Sequence, residues 1–307
     1  MIIVLNANAT HSHLELFLLE TDMLHELSHI FVHTIEDNVF LILFLFLTYL
    51  VMEWLEHKAG NHANELIKKA GKAGPVIGAI VGIVPQCGFA AAASNFYTGR
   101  VISMGTLIAI FLATSDEVFP ILMTQPGAIS LILVIFGLKI VVGAVSGLVI
   151  DKVFPAKEDD HDHIHEMCED EHCHCEKGVL HSALTHTLHI AVFILLVSFV
   201  LNLVMHTVGE EALGNLALNR PIIGQIAAAI IGLIPNCASS VVLTQLYLKG
   251  AMTFGALMSG LFVNAGVGLL ILFRVNHDKK ENLRIVGLLL GIGIVAGIII
   301  GFFPIFS

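Results

Sequence analysis

The sequence predicts an all-α polytopic membrane protein built from two related halves. Hydrophobic residues make up 56% of its 307 residues and charged residues only 13%, whereas about a quarter of a soluble domain is charged. The mean hydropathy is +0.86. Most of its apolar runs reach the ~20 residues with which a helix crosses about 30 Å of hydrocarbon. These nearly uncharged runs are 39–52, 75–98, 101–122, 127–150, 182–208, 221–247, 251–273 and 283–306.

The distribution of charge predicts neither a signal peptide nor a nucleic-acid partner. The first basic residue is Lys58, so no cleavable signal peptide is expected, because such a peptide begins with a positively charged region. The net charge of −10 is concentrated in one loop and in the amino-terminal segment. It therefore gives no indication of a nucleic-acid partner.

The two halves are recognised by a repeat at a constant distance. GIVPQCG (82–88) recurs 150 residues later as GLIPNCA (232–238), and the same register still pairs Gly137 with Gly287. Transporters are commonly built from such repeats. The predicted domains are a His-rich amphipathic segment (1–33), a first transmembrane repeat (34–155), a His/Cys/acidic metal-binding loop (156–181) and a second transmembrane repeat (182–307).

The prolines of the repeat leave two arrangements open, because each broken segment could cross the membrane or return as a re-entrant hairpin. If both cross, nine basic residues lie inside and five outside; if both return, twelve lie inside and only Arg220 and Lys249 outside. Since Lys and Arg favour cytoplasmic loops, hairpins are predicted. Each half then has three spanning helices plus a Pro-broken re-entrant hairpin, about ten helical segments in all, and the halves form an inverted repeat. The amino terminus is expected outside the cytoplasmic (inner) membrane and the 151–181 loop inside.

The broken segments combine a proline with an amide and a thiol. Proline leaves backbone groups without partners, and at membrane depth such backbone survives only when it is buried in protein or lines a wet cavity. The amides that follow each proline can satisfy those groups, and the thiols begin the second arm, where a helix amino terminus stabilises a thiolate. The alternative is a packing kink with a buried thiol. The predicted substrate path in the membrane comprises Gln86, Cys87, Ser94, Asn95, Asp116, Glu117, Asn236, Cys237, Thr244, Gln245 and Asn264.

Acidic residues inside the membrane indicate an ion path. Asp116 and Glu117 lie in an apolar run, where ionisable groups by default mark such a path and have a partner. Lys139 is the expected charge partner, and a purely structural Lys139–Asp116 pair is the alternative. Accessory ligands near the first helix of each half are Glu36, Asp37, His186 and His189.

Two histidine-rich segments predict metal binding outside the membrane. The linker 157–178 is too tightly spaced for a zinc finger and is interpreted as a capture loop, with a solvated acidic linker as the alternative. Its ligands are His161, His163, His165, Cys168, His172, Cys173, His174 and Cys175. The amino-terminal segment carries a metal stripe of Asp22, His25, His29 and His33.

The stripe also offers a rival class of function. His25-Glu26-x-x-His29 matches H-E-x-x-H, the zinc motif of metalloproteases. The match precedes the repeat, and a protease would leave both Pro-x-Cys segments unexplained. A membrane zinc metalloprotease is therefore the remote alternative, and the protein is not expected to be an enzyme.

Two Pro-x-Cys segments 150 residues apart around a His-rich central loop resemble the ten-helix heavy-metal exporters, an arsenic-permease-like group also labelled as manganese transporters. The resemblance extends from about residue 34 over nearly the whole chain. Organoarsenical permeases carry a denser cysteine motif, whereas Pro85-Gln86-Cys87-Gly88 has one thiol, as does Pro235-Asn236-Cys237-Ala238.

The resemblance and the ligand types together imply secondary-active export of a divalent transition-metal cation (Mn/Zn/Fe/Co/Ni class) by alternating access, with protons as the expected coupling ion. No permanent cofactor is implied, since the metal is the substrate. Two alternative functions stay open: a permease for arsenite, an organoarsenical or another small oxyanion, and a membrane metal sensor without transport. Whether the protein forms a homodimer also stays open.

Overall fold

The computed structural model describes residues 73–84, 87–114, 118–123, 125, 128–155 and 220–303, together with helical positions scattered through 28–50 and 184–200. Every regular element among these described residues is a helix. In the first half these helices are α1 (Gly74–Gly82), α2 (Cys87–Thr98), α3 (Met104–Ala113), α4 (Val118–Met123) and α5 (Ile129–Val153). In the second half they are α6 (Ile223–Gly232), α7 (Cys237–Leu248), α8 (Phe254–Val263), α9 (Gly268–Val275) and α10 (Lys279–Gly301).

The helix bounds repeat at the distance that the sequence repeats. Both ends of α2 and α7, and both ends of α3 and α8, differ by 150 residues. The cap residues correspond as well, because Ser103 accepts a hydrogen bond from the Thr106 amide at the start of α3 and Thr253 does the same at the start of α8. The turns after α2 and α7 place Arg100 (φ 57°) and Gly250 (φ 72°) in the left-handed conformation that commonly ends a helix. The two halves therefore share one local fold.

The proline segments are broken where the sequence predicts. α1 ends at Gly82 and α2 begins at Cys87, with Pro85 between them. The same interval separates α6 from α7, since proline removes a backbone donor and disfavours helix in the residue before it. Each of these apolar runs is thus two short helices.

A second pair of interruptions differs from the expectation of continuous apolar runs at 101–122 and 251–273. α3 stops at Ala113 and α4 starts at Val118, while α8 stops at Val263 and α9 starts at Gly268. Thr114 and Asn264 turn out of the helix there, at ψ 131° and ψ 93°. Their side chains bond to nearby backbone, which offers an alternative to the helical ladder.

Small residues allow the helices to pack closely within each half. α3 packs between α1 and α5, and α8 packs between α6 and α10. A Cβ atom on Gly147 would lie 2.5 Å from the Gly105 oxygen, and one on Gly297 would lie 2.7 Å from the Gly255 oxygen. Such contacts are typical of helix interfaces in membranes. Between the halves, α2 packs against α9, and α7 packs reciprocally against α4.

The outer helices are long and apolar enough to cross a membrane. Among the described residues, three stretches meet this criterion: Ile129–Val153, Phe254–Val275 and Lys279–Gly301. The first and third expose apolar side chains such as Leu133 and Val295, whereas the second, formed by α8 and α9, is almost entirely buried. The chain is therefore a polytopic helical membrane protein with broken helices inside and lipid-facing helices outside.

One end of the bundle is held by polar contacts between loops. Arg100 lies 3.3 Å from Glu281, and the Arg284 guanidinium lies 5.4 Å from the centre of the Phe154 ring. Asp278 caps α10 by accepting the amides of Lys280 and Glu281, and these backbone donors lower the pKa of its carboxyl. The ends of α2 and α5 and the start of α10 thus lie together.

Candidate functional site

The interruptions of the two halves lie beside one another. A Cβ atom on Gly268 would lie 2.8 Å from the Ala90 Cβ, and the Ser94 hydroxyl donates to the Gly268 oxygen at 2.7 Å or to the Ala90 oxygen at 3.0 Å. The first two turns of the helix α2 (Cys87–Thr98) therefore contact Gly268, the residue at which α9 begins. Because α7 packs against α4, the helix that starts at Cys237 adjoins the other interruption in the same way.

Both predicted thiol residues stand at helix starts. Cys87 is the first residue of α2 and Cys237 the first residue of α7. The first amides of a helix have no partner within it, and the helix dipole is positive at this end. The backbone therefore places each cysteine where an anionic thiolate is stabilised.

The polar residues one to two turns further on are enclosed in protein. Ser94, Asn95 and Thr244 are fully buried, and Gln245 is half-buried. The Thr244 hydroxyl donates to the Ser240 oxygen at 2.7 Å. A hydroxyl that donates to a carbonyl keeps oxygen lone pairs with which it can bind a cation.

The backbone at the second proline break is satisfied by a residue that the sequence analysis did not single out. The Ser239 hydroxyl donates to the Asn236 oxygen at 2.8 Å, and the Asn236 amide donates to the Ile234 oxygen at 2.7 Å. Asn236 itself is buried. A serine just after a proline break is the signal that could have identified it, since its hydroxyl readily bonds local backbone.

Thr114 and Asn264, which the repeat pairs, end α3 and α8. The Thr114 hydroxyl donates to the Ile110 oxygen at 2.9 Å, and the Asn264 side-chain oxygen accepts the Gly266 amide at 3.0 Å. Gly266 has φ 53°, a conformation that glycine adopts without steric cost. Buried polar side chains therefore stabilise both ends.

Lys139 lies where these two ends meet. It is fully buried in the middle of α5. Its Nζ donates to the Thr114 oxygen, to the Leu261 oxygen at 2.7 Å and, more distantly, to the Leu112 oxygen at 3.4 Å. The sequence predicts Asp116 as its partner, and that pairing remains a prediction. The carbonyl partners could not be inferred from sequence, because they come from two helices far apart in the chain.

Several predicted ligands lie outside the described residues, and their assignments stay predictions. In the membrane these are Gln86, Asp116, Glu117, Glu36, Asp37, His186 and His189; outside it they are the loop ligands between 161 and 175 and the stripe of Asp22, His25, His29 and His33. Within the part of the chain that the structure describes, no three His, Cys, Asp or Glu side chains are grouped closely enough to hold a metal ion.

A polar network between the two halves was not predicted from the sequence. The Tyr97 hydroxyl donates to Glu281 Oε1 at 2.7 Å, the oxygen that also contacts Arg100. The Asn276 amide donates to Glu281 Oε2 at 3.1 Å and to the Asn282 side-chain oxygen at 2.8 Å. The clue in the sequence is that Glu281 has an apolar counterpart in the repeat, which marks it as specific to this end of the bundle.

Buried polar residues at broken helices, enclosed by helices with exposed apolar side chains, are typical of membrane transport proteins. The family described as "Putative, 10TM heavy-metal exporter" matches residues 26–176 and 156–279. This is more than half of the chain, which therefore belongs to this family of transporters. No curated protein and no solved structure matched it.

Proposed function

We propose that the protein is a secondary-active exporter of a divalent transition-metal cation of the Mn/Zn/Fe/Co/Ni class, coupled to protons and working by alternating access. The observation that carries the proposal is the junction of interrupted helices, with Cys87 and Cys237 at the starts of α2 and α7. Matching interruptions in two halves are the feature by which transporter sites are recognised. Transport, rather than catalysis, is the activity proposed.

Contacts at one end of the bundle support the re-entrant arrangement. Arg100 follows α2, and Glu281 lies in the first turn of α10. If both proline segments crossed the membrane, these two residues would lie on opposite sides; if both are hairpins, they lie on the same side. The 3.3 Å distance between them favours hairpins.

A second contact supports the same arrangement from different residues. Phe154 follows α5, and Arg284 belongs to the first turns of α10. Their 5.4 Å contact supports a position of both helix ends on one side of the membrane, as the hairpin arrangement predicts. Three spanning helices and one hairpin per half give the halves opposite orientation, which is the inverted-repeat plan of alternating-access carriers.

The distribution of basic residues favours a cytoplasmic position of that shared side. Lys152, Lys279 and Lys280 lie near Arg100 and Arg284 in this arrangement, and Lys and Arg favour cytoplasmic loops. The 156–181 loop follows the same end of α5 and would collect metal from the cytoplasm. Export is the direction that this placement favours.

The ligand types fit a borderline divalent cation. Thiolate and imidazole ligands favour zinc, copper, nickel or iron, whereas amide and carboxylate oxygens suit manganese, and Cys87 and Cys237 would supply the thiolates. Asn95, Gln245 and Asp116 would supply those oxygens. The Asp116 carboxylate would bind either the metal or a proton in turn, because an acid in a membrane segment serves as an ion ligand or a proton relay.

Metal accumulation in cells tests the thiol site. Cells that express Cys87→Ser/Cys237→Ser are expected to accumulate metal as non-expressing cells do. The matched control replaces the three loop cysteines, Cys168, Cys173 and Cys175, by serine. It is expected to keep export at high metal concentration, because the loop only captures the ion. Export by the double variant at the wild-type rate would refute the site.

Accessibility tests the arrangement separately. In a cysteine-free background, Arg100→Cys and Lys249→Cys are expected to react with an impermeant maleimide from opposite sides of oriented vesicles. Arg100 corresponds in the repeat to position 250, which is next to Lys249. If the two halves are inverted, these two positions must therefore be labelled from opposite sides. Labelling of both from one side would exclude it.

A permease for arsenite or another small oxyanion is the second candidate. Two helix amino termini, at Cys87 and Cys237, contribute positive charge to the junction, and helix amino termini bind anions. Arsenite efflux that survives while divalent-metal efflux is absent would favour this candidate.

A further inference from the structure

Lys139 is a charged group enclosed by backbone oxygen atoms. Its side chain is fully buried, and among the described residues it contacts the carbonyls of Leu112 and Thr114 in the first half and of Leu261 in the second. The ring of Phe262 lies beside it, with its centre 6.0 Å from Nζ. The nitrogen thus joins the ends of α3 and α8.

The number of acceptors indicates the charge of this nitrogen. An ammonium has three N–H donors and no lone pair. Three carbonyl oxygens can each receive one of these donors, whereas a neutral amine would direct its lone pair at an oxygen. The contacts of Lys139 therefore match a protonated side chain.

The oxygen atoms themselves have the properties of a cation site. The carboxyl end of a helix carries about half a negative elementary charge, and two such ends, from α3 and α8, meet here. In carriers with discontinuous helices, unwound carbonyls and helix carboxyl ends coordinate Na⁺ or H⁺. The second half has Leu289 at the position that corresponds to Lys139, so one resident cation serves both ends.

We propose that the carbonyls of Leu112, Thr114 and Leu261 form a monovalent-cation site that the ammonium of Lys139 occupies permanently. The side chain acts as a tethered cation, neutralising the two helix ends and joining the halves at their interruptions. The wild-type protein is therefore independent of Na⁺, and truncation of Lys139 opens the site to a small alkali ion or a primary ammonium. This inference does not depend on which substrate is exported.

Thermal stability of the purified protein in detergent tests the proposal. The melting temperature of the wild-type protein is expected to be the same in sodium and choline chloride. Lys139→Ala is expected to melt lower in choline, and to recover saturably with Na⁺ or with propylammonium, whose N–H groups replace those of the side chain. Tetramethylammonium, which has no N–H donor, should not restore it.

Leu289→Ala is the matched control, because it truncates a fully buried side chain at the corresponding position of α10. It should melt lower through loss of packing and respond to none of these cations. Equal responses of Lys139→Ala and Leu289→Ala to Na⁺ and propylammonium, or no response of either, would overturn the proposal.

A third comparison covers the case in which Lys139→Ala yields no folded protein. Lys139→Met keeps most of the side-chain volume without the charge, and Lys139→Arg keeps the charge. The arginine variant is expected to give the higher folded yield, judged by gel filtration. A methionine variant as well folded and as stable as the wild-type protein would show that no cation is required at this position.

Discussion

Replacing Gly147 by alanine provides a quantitative test of the packing between α3 and α5. The new Cβ would lie 2.5 Å from the Gly105 oxygen and 2.7 Å from the Pro75 Cβ. One neighbour is backbone and the other a ring carbon, so neither can swing away, and overpacking of this kind costs about 1–3 kcal/mol. Gly137 lies on the same helix with no atom within 4 Å of its Cβ position. Gly137→Ala should therefore stabilise the protein by about 0.5–1 kcal/mol through helix propensity.

The repeat supplies an independent second measurement. A Cβ atom on Gly297 would lie 2.7 Å from the Gly255 oxygen, whereas one on Gly287 would have no neighbour within 4 Å. Unfolding free energies, measured by titrating folded protein in mild detergent with dodecyl sulfate, should separate the two variants of each pair by about 1.5–4 kcal/mol. Equal stabilities of Gly147→Ala and Gly137→Ala would refute the close approach of α3 and α5.

Three further substitutions test the contacts that end or join helices, each by the same unfolding titration. Ser103→Ala removes the cap of α3 and a 2.7 Å bond to Asp151, and should cost about 1 kcal/mol. Gly266→Ala forces an L side chain to φ 53°, and should cost roughly 1–2 kcal/mol; a neutral outcome would contradict this turn. Tyr97→Phe removes the bond to Glu281 and should cost about 1.5 kcal/mol, with an unchanged stability arguing against the network.

The proline interruptions could be predicted from sequence because their cause is local. Pro85 and Pro235 cannot continue a helix, whatever surrounds them. The repeat at a distance of 150 residues could likewise be identified from the sequence alone, and the bounds of the helices repeat at the same distance. The position of Cys87 and Cys237 at the starts of helices is a consequence of the same local rule.

The interruptions at Thr114 and Asn264 do not share one local cause, because Pro120 lies in the first turn of α4 whereas α9 contains no proline. Hydropathy registers only that these runs are apolar, and tertiary contacts between the halves decide where each helix stops. Gly266 beside Asn264 is a weak local signal, because glycine readily adopts conformations outside the helix.

Lys139 has partners that reasoning from charge alone could not supply. A lysine and an aspartate in neighbouring apolar runs suggest an ion pair, and nothing in the sequence indicates that carbonyls of two distant helices can satisfy an ammonium. The contacts with Thr114 and Leu261 arise only when α3 and α8 end at the same place. Burial of the site is thus a property of the assembled halves.

The most direct test of metal export is flux into proteoliposomes that contain the purified protein. Mn²⁺, Fe²⁺, Co²⁺, Ni²⁺, Zn²⁺ and arsenite would be compared with and without a pH gradient, for the wild-type protein and for Cys87→Ser/Cys237→Ser. We expect flux of at least one divalent cation that increases with the proton gradient and is lost in the double variant. Arsenite flux without any divalent-metal flux, or metal flux that is unchanged in the double variant, would contradict the account.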